Sequence, residues 1–207
     1  MNKTEKKELL KEFELFLDKK ELAQNEYKVG DVIDFTLTTG EKVSAMAMRQ
    51  EEDGMLFVFI DCLKKEYPMF KNPSKMGSMQ INYFNSDLRH ALNNEILDTF
   101  PEEIKSRMKV MRIGDTDAFD KLRLLTEKEV FGENRYGEVD NGTRLPLMEE
   151  IRNRIAFQGR GTDTWEWWWL QNKAEGSAAN FAGVYYDGLA TYNNASADNG
   201  VRPAFKI

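Results

Sequence analysis

Few side chains here are of types that make and break bonds. The chain holds one cysteine, Cys62, and one histidine, His90. A single cysteine excludes an intrachain disulfide and cysteine-rich zinc sites. Cys62 follows the apolar run MLFVFI (Met55 to Ile60) with no histidine near it in sequence, so it reads as a small core residue. His90 has no second histidine or cysteine to share a metal with and reads as a surface or structural side chain. The acidic doublets Glu51-Glu52, Glu102-Glu103 and Glu149-Glu150 lie in charged, helix-like or turn surroundings and read as solvated faces. Gly159-Arg160-Gly161-Thr162 lacks the lysine and spacing of a phosphate loop. What is concentrated instead is aromatic and amide chemistry. All four tryptophans (Trp165, Trp167, Trp168, Trp169) fall in one stretch, followed by some thirty residues rich in Asn, Ala, Gly, Ser, Asp and Tyr. Rings of this size each bury about 150–250 Å². The run behind them is too poor in Leu, Ile and Val to make a core, and its composition is that of binding loops. The expectation is a presented binding surface on an aromatic base, with no catalytic residue, metal or cofactor.

The elements that must position this surface are legible in part. At 207 residues with 41% hydrophobic and 31% charged side chains, the chain suits one packed domain with a helical appendage. Its net charge of −6 argues against a nucleic-acid partner, since that binding rests on Lys and Arg. No stretch reaches the about eighteen apolar residues of a membrane span, and Met1 to Leu10 is charged, unlike a signal peptide. The expectation is cytoplasmic synthesis, with association to a virion or cell surface. Lys3 to Leu22 has Leu9, Phe13, Phe16 and Leu17 at helical spacing. That helix is expected either to dock on its own domain or to join copies into a homo-oligomer, and residues 1–26 are read as a separate helical segment.

From residue 27 the pattern is of short, mixed elements. Val32 to Leu37 and Lys42 to Met48 read as a hairpin, Met55 to Ile60 as a buried strand, and Tyr67 to Met79 as loop. Ser86 or Asn85 caps a helix striped by Leu88, Leu92, Ile96 and Leu97, ended by Phe100-Pro101. Lys121 to Leu125 reads as a strand, Thr126 with Glu129 as a capping box, and Leu147 to Phe157 as a helix. Phe181 to Tyr185 and Gly188 to Tyr192 read as strands joined at Asp187-Gly188, with Val201 to Phe205 a last strand that Pro203 confines to an edge or bulge. Without regular strand–helix alternation, this is an α+β domain.

The order of these pieces carries a likeness. Gly30-Asp31, Tyr83 with Asn85-Ser86-Asp87-Leu88-Arg89, Leu124-Leu125-Thr126, Trp168-Trp169-Leu170 and Gly200-Val201-Arg202-Pro203-Ala204 occur in sequence. This set resembles C-type-lectin-like domains of the formylglycine-generating-enzyme type, in an uncharacterised gut-bacterial and phage branch ending in GVRPA. Gln171 and Asn172 depart from the Arg-Ser of that branch. The likeness covers residues 27–207 and implies a C-type-lectin-like fold. The tail 165–207, with Ala178-Ala179-Asn180-Phe181, Asn193-Asn194-Ala195-Ser196 and Asn199-Gly200-Val201-Arg202-Pro203, is also similar to the variable region of proteins diversified by retroelements.

That second likeness implies Glu166, Asn172, Glu175, Ser177, Gly183, Tyr185, Tyr186, Asp187, Thr191 and Asp198 as exposed, substitutable positions, on a scaffold of the tryptophans, Leu170, Val184, Gly188, Val201 and Phe205. Tyr192 joins them as an aromatic contact. If the Trp segment is one strand, alternation puts Trp167 and Trp169 inside and Trp168, with Glu166, at the surface. The catalytic chemistry of the resembled enzymes does not carry over, for no cysteine follows Cys62 and one histidine cannot make their iron site. The Glu-Pro-Asn or Gln-Pro-Asp and Trp-Asn-Asp runs of calcium-dependent sugar binders are missing too, and calcium takes about six to eight oxygens. Arg202 is expected to lock the last strand through a buried acid or backbone carbonyls. The implied function is non-catalytic binding of a protein or cell-surface glycan. The alternatives are a virion or surface assembly protein, or an enzyme with a carboxylate and tyrosine site.

Overall fold

A computed structural model describes residues 6–13, 27–76, 81–114 and 116–207. The architecture is α+β, with several small antiparallel sheets and a few short helices. The largest sheet has four strands in the order Val32–Thr36, Lys42–Glu51, Gly54–Phe59, Ala204–Lys206. Gly54–Phe59 is apolar without alternation because both of its faces are covered. Met55, Phe57 and Phe59 enter one hydrophobic cluster, and Leu56 and Val58 enter a second on the opposite side. In the first cluster Phe35, Phe57, Phe59 and Phe100 surround Phe205 with ring centroids 5.6–6.3 Å away.

A three-stranded sheet, Ala190–Asn194, Asn180–Val184, Trp168–Lys173, divides the same two clusters. Trp169 and Phe181 face the first, while Trp168, Leu170, Ala182 and Val184 face the second. The joint between the sheets is the segment 200–204. Gly200 exchanges backbone hydrogen bonds with Trp167 (2.8 Å) and Trp169 (3.1 Å). The N–H groups of Leu63 and Phe59 donate to the carbonyls of Val201 and Pro203 (2.9 and 3.0 Å). Arg202 is buried there. Its guanidinium donates to the carbonyls of Phe59 (2.9 Å), Asn153 (3.1 Å) and Arg154 (3.4 Å) and lies 4.5 Å over the Trp168 ring. Of its two expected partners, backbone carbonyls are the ones found.

The helices are short and locally dictated. Ser86 Oγ accepts from the Arg89 N–H at the start of Asp87–Ala91, which runs on through a π turn, Leu92–Ile96, burying Leu88, Leu92 and Ile96. Thr126 and Glu129 form the expected capping box at Glu127–Phe131, ended by Gly132 at φ 82°.

Several expectations need correction. Lys121 to Leu125 forms a single bridge, Arg123 with Ala204, and no longer ladder. Leu147 to Phe157 forms no α-helix but two 3-10 turns, Pro146–Glu149 and Ile151–Asn153, then the strand Ala156–Phe157. Side chains take the carbonyls a helix would use: Asn153 donates to Leu147 (2.6 Å), Arg154 to Met148 (2.7 Å) and Glu149 (3.0 Å). The stretch read as loop from Tyr67 contributes Tyr67–Pro68, paired with Asp198–Asn199, and a turn at Pro73–Lys75; residues 77–79 of that reading lie outside the described residues. Residues 6–13 are helical with Leu9, Leu10 and Phe13 more than half exposed, whereas the remainder of Lys3 to Leu22, with Phe16 and Leu17, lies outside the described residues. Among the described residues no helix is long and apolar enough to cross a membrane.

Candidate functional site

The Asn180–Val184 and Ala190–Asn194 strands close through Tyr185-Tyr186-Asp187-Gly188. The Gly188 N–H donates to the Tyr185 carbonyl (2.9 Å) and the Tyr185 N–H to Leu189 (2.8 Å), a type I turn with a bulge that needs a left-handed residue. Gly188 supplies it at φ 82°, and a Cβ there would lie 2.9 Å from Ile151 Cγ1. The turn lifts Tyr185 and Tyr186 beside the tryptophans. Tyr185 lies 4.3 Å from Trp167 and 3.9 Å from Tyr186 between ring centroids. In the neighbouring two-residue ladder, Trp165 pairs with Phe157, rings 5.0 Å apart. Trp165, Tyr186 and Leu189 are about half exposed, with Trp167 and Tyr185 half-buried behind them. Together they make an aromatic ridge. A second aromatic pair stands where Tyr192 of the outer strand meets Tyr136, ring centroids 5.2 Å apart.

The residues expected to form the surface divide into three groups. Glu175, Tyr186, Asp187, Tyr192 and Asp198 are exposed; Ser177, Tyr185 and Thr191 are half-buried. Glu166, Trp168, Asn172 and Gly183 are buried, against expectation. Trp168 is enclosed because its strand lies between two clusters, so both sides of the alternation are interior; its Nε1 donates to the Arg154 carbonyl (2.8 Å). Asn172 is a structural clamp. Its Oδ1 accepts from the Glu127 N–H (2.7 Å), and its Nδ2 donates to the Glu138 carbonyl (2.9 Å) and Asp140 Oδ2 (2.8 Å). At Gly183 a Cβ would meet the Trp168 carbonyl oxygen at 2.9 Å, which leaves little freedom for substitution. Glu166 sits between Trp165 and Trp167 and points the other way. Phe157, Trp165, Leu189 and Tyr136 were not anticipated as surface contributors, and Trp167, expected inside with Trp169, is only half-buried. A break at Trp167 divides the Trp segment into two strands, Trp165–Glu166 and Trp168–Lys173; only the shared parity of Trp165 and Trp167 could have signalled the ridge.

Beneath the ridge lies a pair of acids. Glu166 accepts the Trp167 N–H at 2.8 Å, and its neighbour Glu66 accepts from Gln158 Nε2 at 2.8 Å through Oε1. Burial and then Glu66 push the Glu166 carboxyl up to about 7. Burial also raises Asp61, which accepts the Phe157 N–H (3.2 Å), and pushes the Cys62 thiol well up, so this thiol is inert packing, as its sequence setting suggested.

Elsewhere a cleft of about 580 Å³ opens between Tyr83, Phe84, Arg112, Val139 and Lys173. On its floor Arg123 clasps Glu129 with both Nη atoms (2.6 and 2.7 Å), and Arg49 reaches Glu129 (3.3 Å) and Glu51 (2.9 Å). Burial opposes ionisation of Glu129, but the charge of Arg123 outweighs it and holds the carboxyl below its ordinary range. Asp140 is likewise held low against burial, by hydrogen bonds from Asn134 and Asn172. Such acids stay ionised and partnered. They offer a ligand charged walls rather than a proton-transfer group. His90 is exposed, beside Asn94. Among the described residues no three His, Cys, Asp or Glu side chains are placed to hold a metal.

A family model described as a domain of unknown function (DUF6273) matches residues 60–207. No curated protein and no solved structure matches the chain.

Proposed function

We propose, from the premise that this chain belongs to the DUF6273 family of domains, that it is a non-catalytic binding protein whose C-terminal aromatic ridge receives a protein or cell-surface glycan. The observation that carries this reading is the ridge itself: Trp165, Trp167, Tyr185 and Tyr186 stand partly open to solvent, with the Trp167 carbonyl anchored by the N–H of buried Gly200. Rigid aromatic rings give contact area at little entropic cost, and Asp187 and Thr191 beside them supply hydrogen bonding. The architecture is C-type-lectin-like on this reading. Retroelement-driven variation, where it operates, acts on the open positions Glu175, Ser177, Tyr185, Tyr186, Asp187, Thr191, Tyr192 and Asp198, since Glu166, Trp168, Asn172 and Gly183 carry the interior.

The exposed apolar side chains of residues 6–13 support a subsidiary assembly role. Joining copies through that helix raises a weak single-site affinity by multivalency, as suits a virion- or cell-surface protein. An enzymatic reading centred on the cleft is less well supported, because its acids are already committed to Arg123, Asn134 and Asn172.

Glycan and cell-surface protein arrays, probed with the intact chain and with a Trp165→Ala/Tyr186→Ala variant, test the proposal. Both side chains are exposed, so the variant is expected to melt as the parent does while losing its array signal. Equal binding by the two proteins would remove the ridge from recognition.

A further inference from the structure

We infer that the outer strand of the three-stranded sheet, Ala190–Asn194, is an open edge that takes an extended, basic segment of a partner protein as a further strand. The inference rests on the reading above in treating this face as a recognition surface. It goes further in assigning a second contact, made by backbone, and a polypeptide as what makes it. The hairpin fixes which groups are free. The Tyr185 N–H donates to the Leu189 carbonyl across the turn (2.8 Å), and the register then pairs Val184 with Ala190, Gly183 with Thr191, Ala182 with Tyr192 and Phe181 with Asn193. Hydrogen-bonded and non-hydrogen-bonded pairs alternate along an antiparallel ladder. Thr191 and Asn193 therefore bond inward, while Ala190, Tyr192 and Asn194 turn their N–H and C=O outward. Asn194 is satisfied locally: its N–H donates to Asn193 Oδ1 (2.8 Å) and its carbonyl accepts from Ala197 (2.9 Å). The N–H and C=O of Ala190 and Tyr192 have no such partner outside the hairpin among the described residues.

Tyr136 brings only its ring to this edge, for its backbone is engaged elsewhere: the N–H donates to Glu127 (3.0 Å) and the carbonyl accepts from Glu175 (2.7 Å). Sheets guard open edges with charge, proline or a bulge. The outer strand of the four-stranded sheet does so with Asp34 at its centre, bonded to Ser44 (2.7 Å) and Arg160 (3.0 Å). Ala190–Asn194 has no such guard: it reads Ala, Thr, Tyr, Asn, Asn, and its register runs without a shift. Outward N–H and C=O groups at strand spacing are matched by the backbone of an extended chain, and a sugar ring has no such repeat. Charge sets the partner's sign. From Ala174 to Val201 the chain has three acids, Glu175, Asp187 and Asp198, all exposed, and no Lys or Arg. An incoming segment therefore gains from Lys or Arg at its ends, and from an apolar side chain where it crosses the Tyr136–Tyr192 pair.

Amide hydrogen exchange of the full chain, followed by NMR, tests the edge before any ligand is added. Ala190 and Tyr192 are expected to exchange fast, and Thr191 and Asn193 slowly. Protection of Ala190 and Tyr192 in the free chain overturns the inference, as does protection that grows with chain concentration, the mark of a second copy on the edge. A library of random linear peptides displayed on phage then supplies the probe, and a peptide selected on the parent chain is synthesised. Its binding is expected to protect Ala190 and Tyr192 and to weaken with added salt. It should fall about tenfold or more in Ala190→Pro, which removes one outward N–H and leaves the inward ladder whole. If that variant melts below the parent, N-methylation of the peptide decides instead: methyl groups on alternate residues should abolish binding in one frame and spare it in the other. Enrichment of no peptide, or binding indifferent to Ala190→Pro and to the methylation frame, sinks the proposal. Failure of the ridge reading appears separately, as array binding unchanged by Trp165→Ala/Tyr186→Ala while the peptide still protects the edge.

Discussion

Replacing Glu129 with glutamine isolates what the cleft floor contributes to stability. In the native chain both Glu129 oxygens are in use: Oε2 takes Arg123 Nη1 (2.6 Å) and the Thr126 N–H (3.0 Å), and Oε1 takes Arg123 Nη2 (2.7 Å) and Arg49 (3.3 Å). Glutamine leaves one oxygen and turns an N–H₂ toward a guanidinium whose side chain is 8% exposed. Breaking a buried pair from one side costs about 3–5 kcal/mol, because the remaining charge stays uncompensated. At about 2–4 °C per kcal/mol for a chain of this size, the melting temperature should fall by roughly 6–20 °C. The double variant Arg123→Met/Glu129→Leu removes both charges and should lie only about 1–2 kcal/mol below the parent, the residue being the lost cap to Thr126. Urea denaturation of the three proteins gives both differences directly. The sign with pH is also fixed. Because the folded Glu129 is held below its ordinary range, its stabilisation is present above the unfolded value and is lost as acid takes the pH down through the folded one. The glutamine variant should lack that part of the acid sensitivity. A single variant within about 1 kcal/mol of the parent would refute the reasoning, for it would mean that solvent or Arg49 already compensates Arg123.

Two further predictions concern the seam and the N-terminal helix. Gly200→Ala forces a methyl to within 2.6 Å of Glu166, Cys62 and the Trp167 carbonyl; overpacking of this kind costs about 1–3 kcal/mol in a thermal melt, and an unchanged melt would show that the seam can yield. Leu9→Glu/Phe13→Glu is expected to bring the light-scattering mass down to the 24.0 kDa of one chain from a multiple of it; a parent already at one-chain mass removes the assembly role.

Much of the fold is carried by local chemistry and could be read from the chain. The Thr126–Glu129 box, the Ser86 cap, the Asp187-Gly188 turn and the unalternating MLFVFI strand each satisfy their backbone or bury their faces within a few residues. What misled was tertiary. The residues from Leu147 have helical apolar spacing, but Asn153 and Arg154 compete for the carbonyls and Ile151 ends up half exposed. Alternation in the Trp segment presumes one wet side; Trp168 and Trp169 have none, since clusters lie on both faces of their sheet. The same misreading put Glu166 outside. The acid that neighbours it, Glu66, is a hundred residues away in sequence.

That seam also bears on how the chain is made. Phe57 waits for Phe205, and the first cluster stays open around the place Phe205 will fill. Ribosomes add about 5–20 residues per second, so on the order of ten seconds separates synthesis of the two strands. During that interval Gly54–Phe59, apolar on both faces, has one edge without its partner strand, the kind of edge that recruits other chains. Completion of the sheet therefore comes late, with a long loop to close. The nascent chain is a natural client for a holding chaperone, and truncations that remove the last few residues should aggregate rather than merely lose stability.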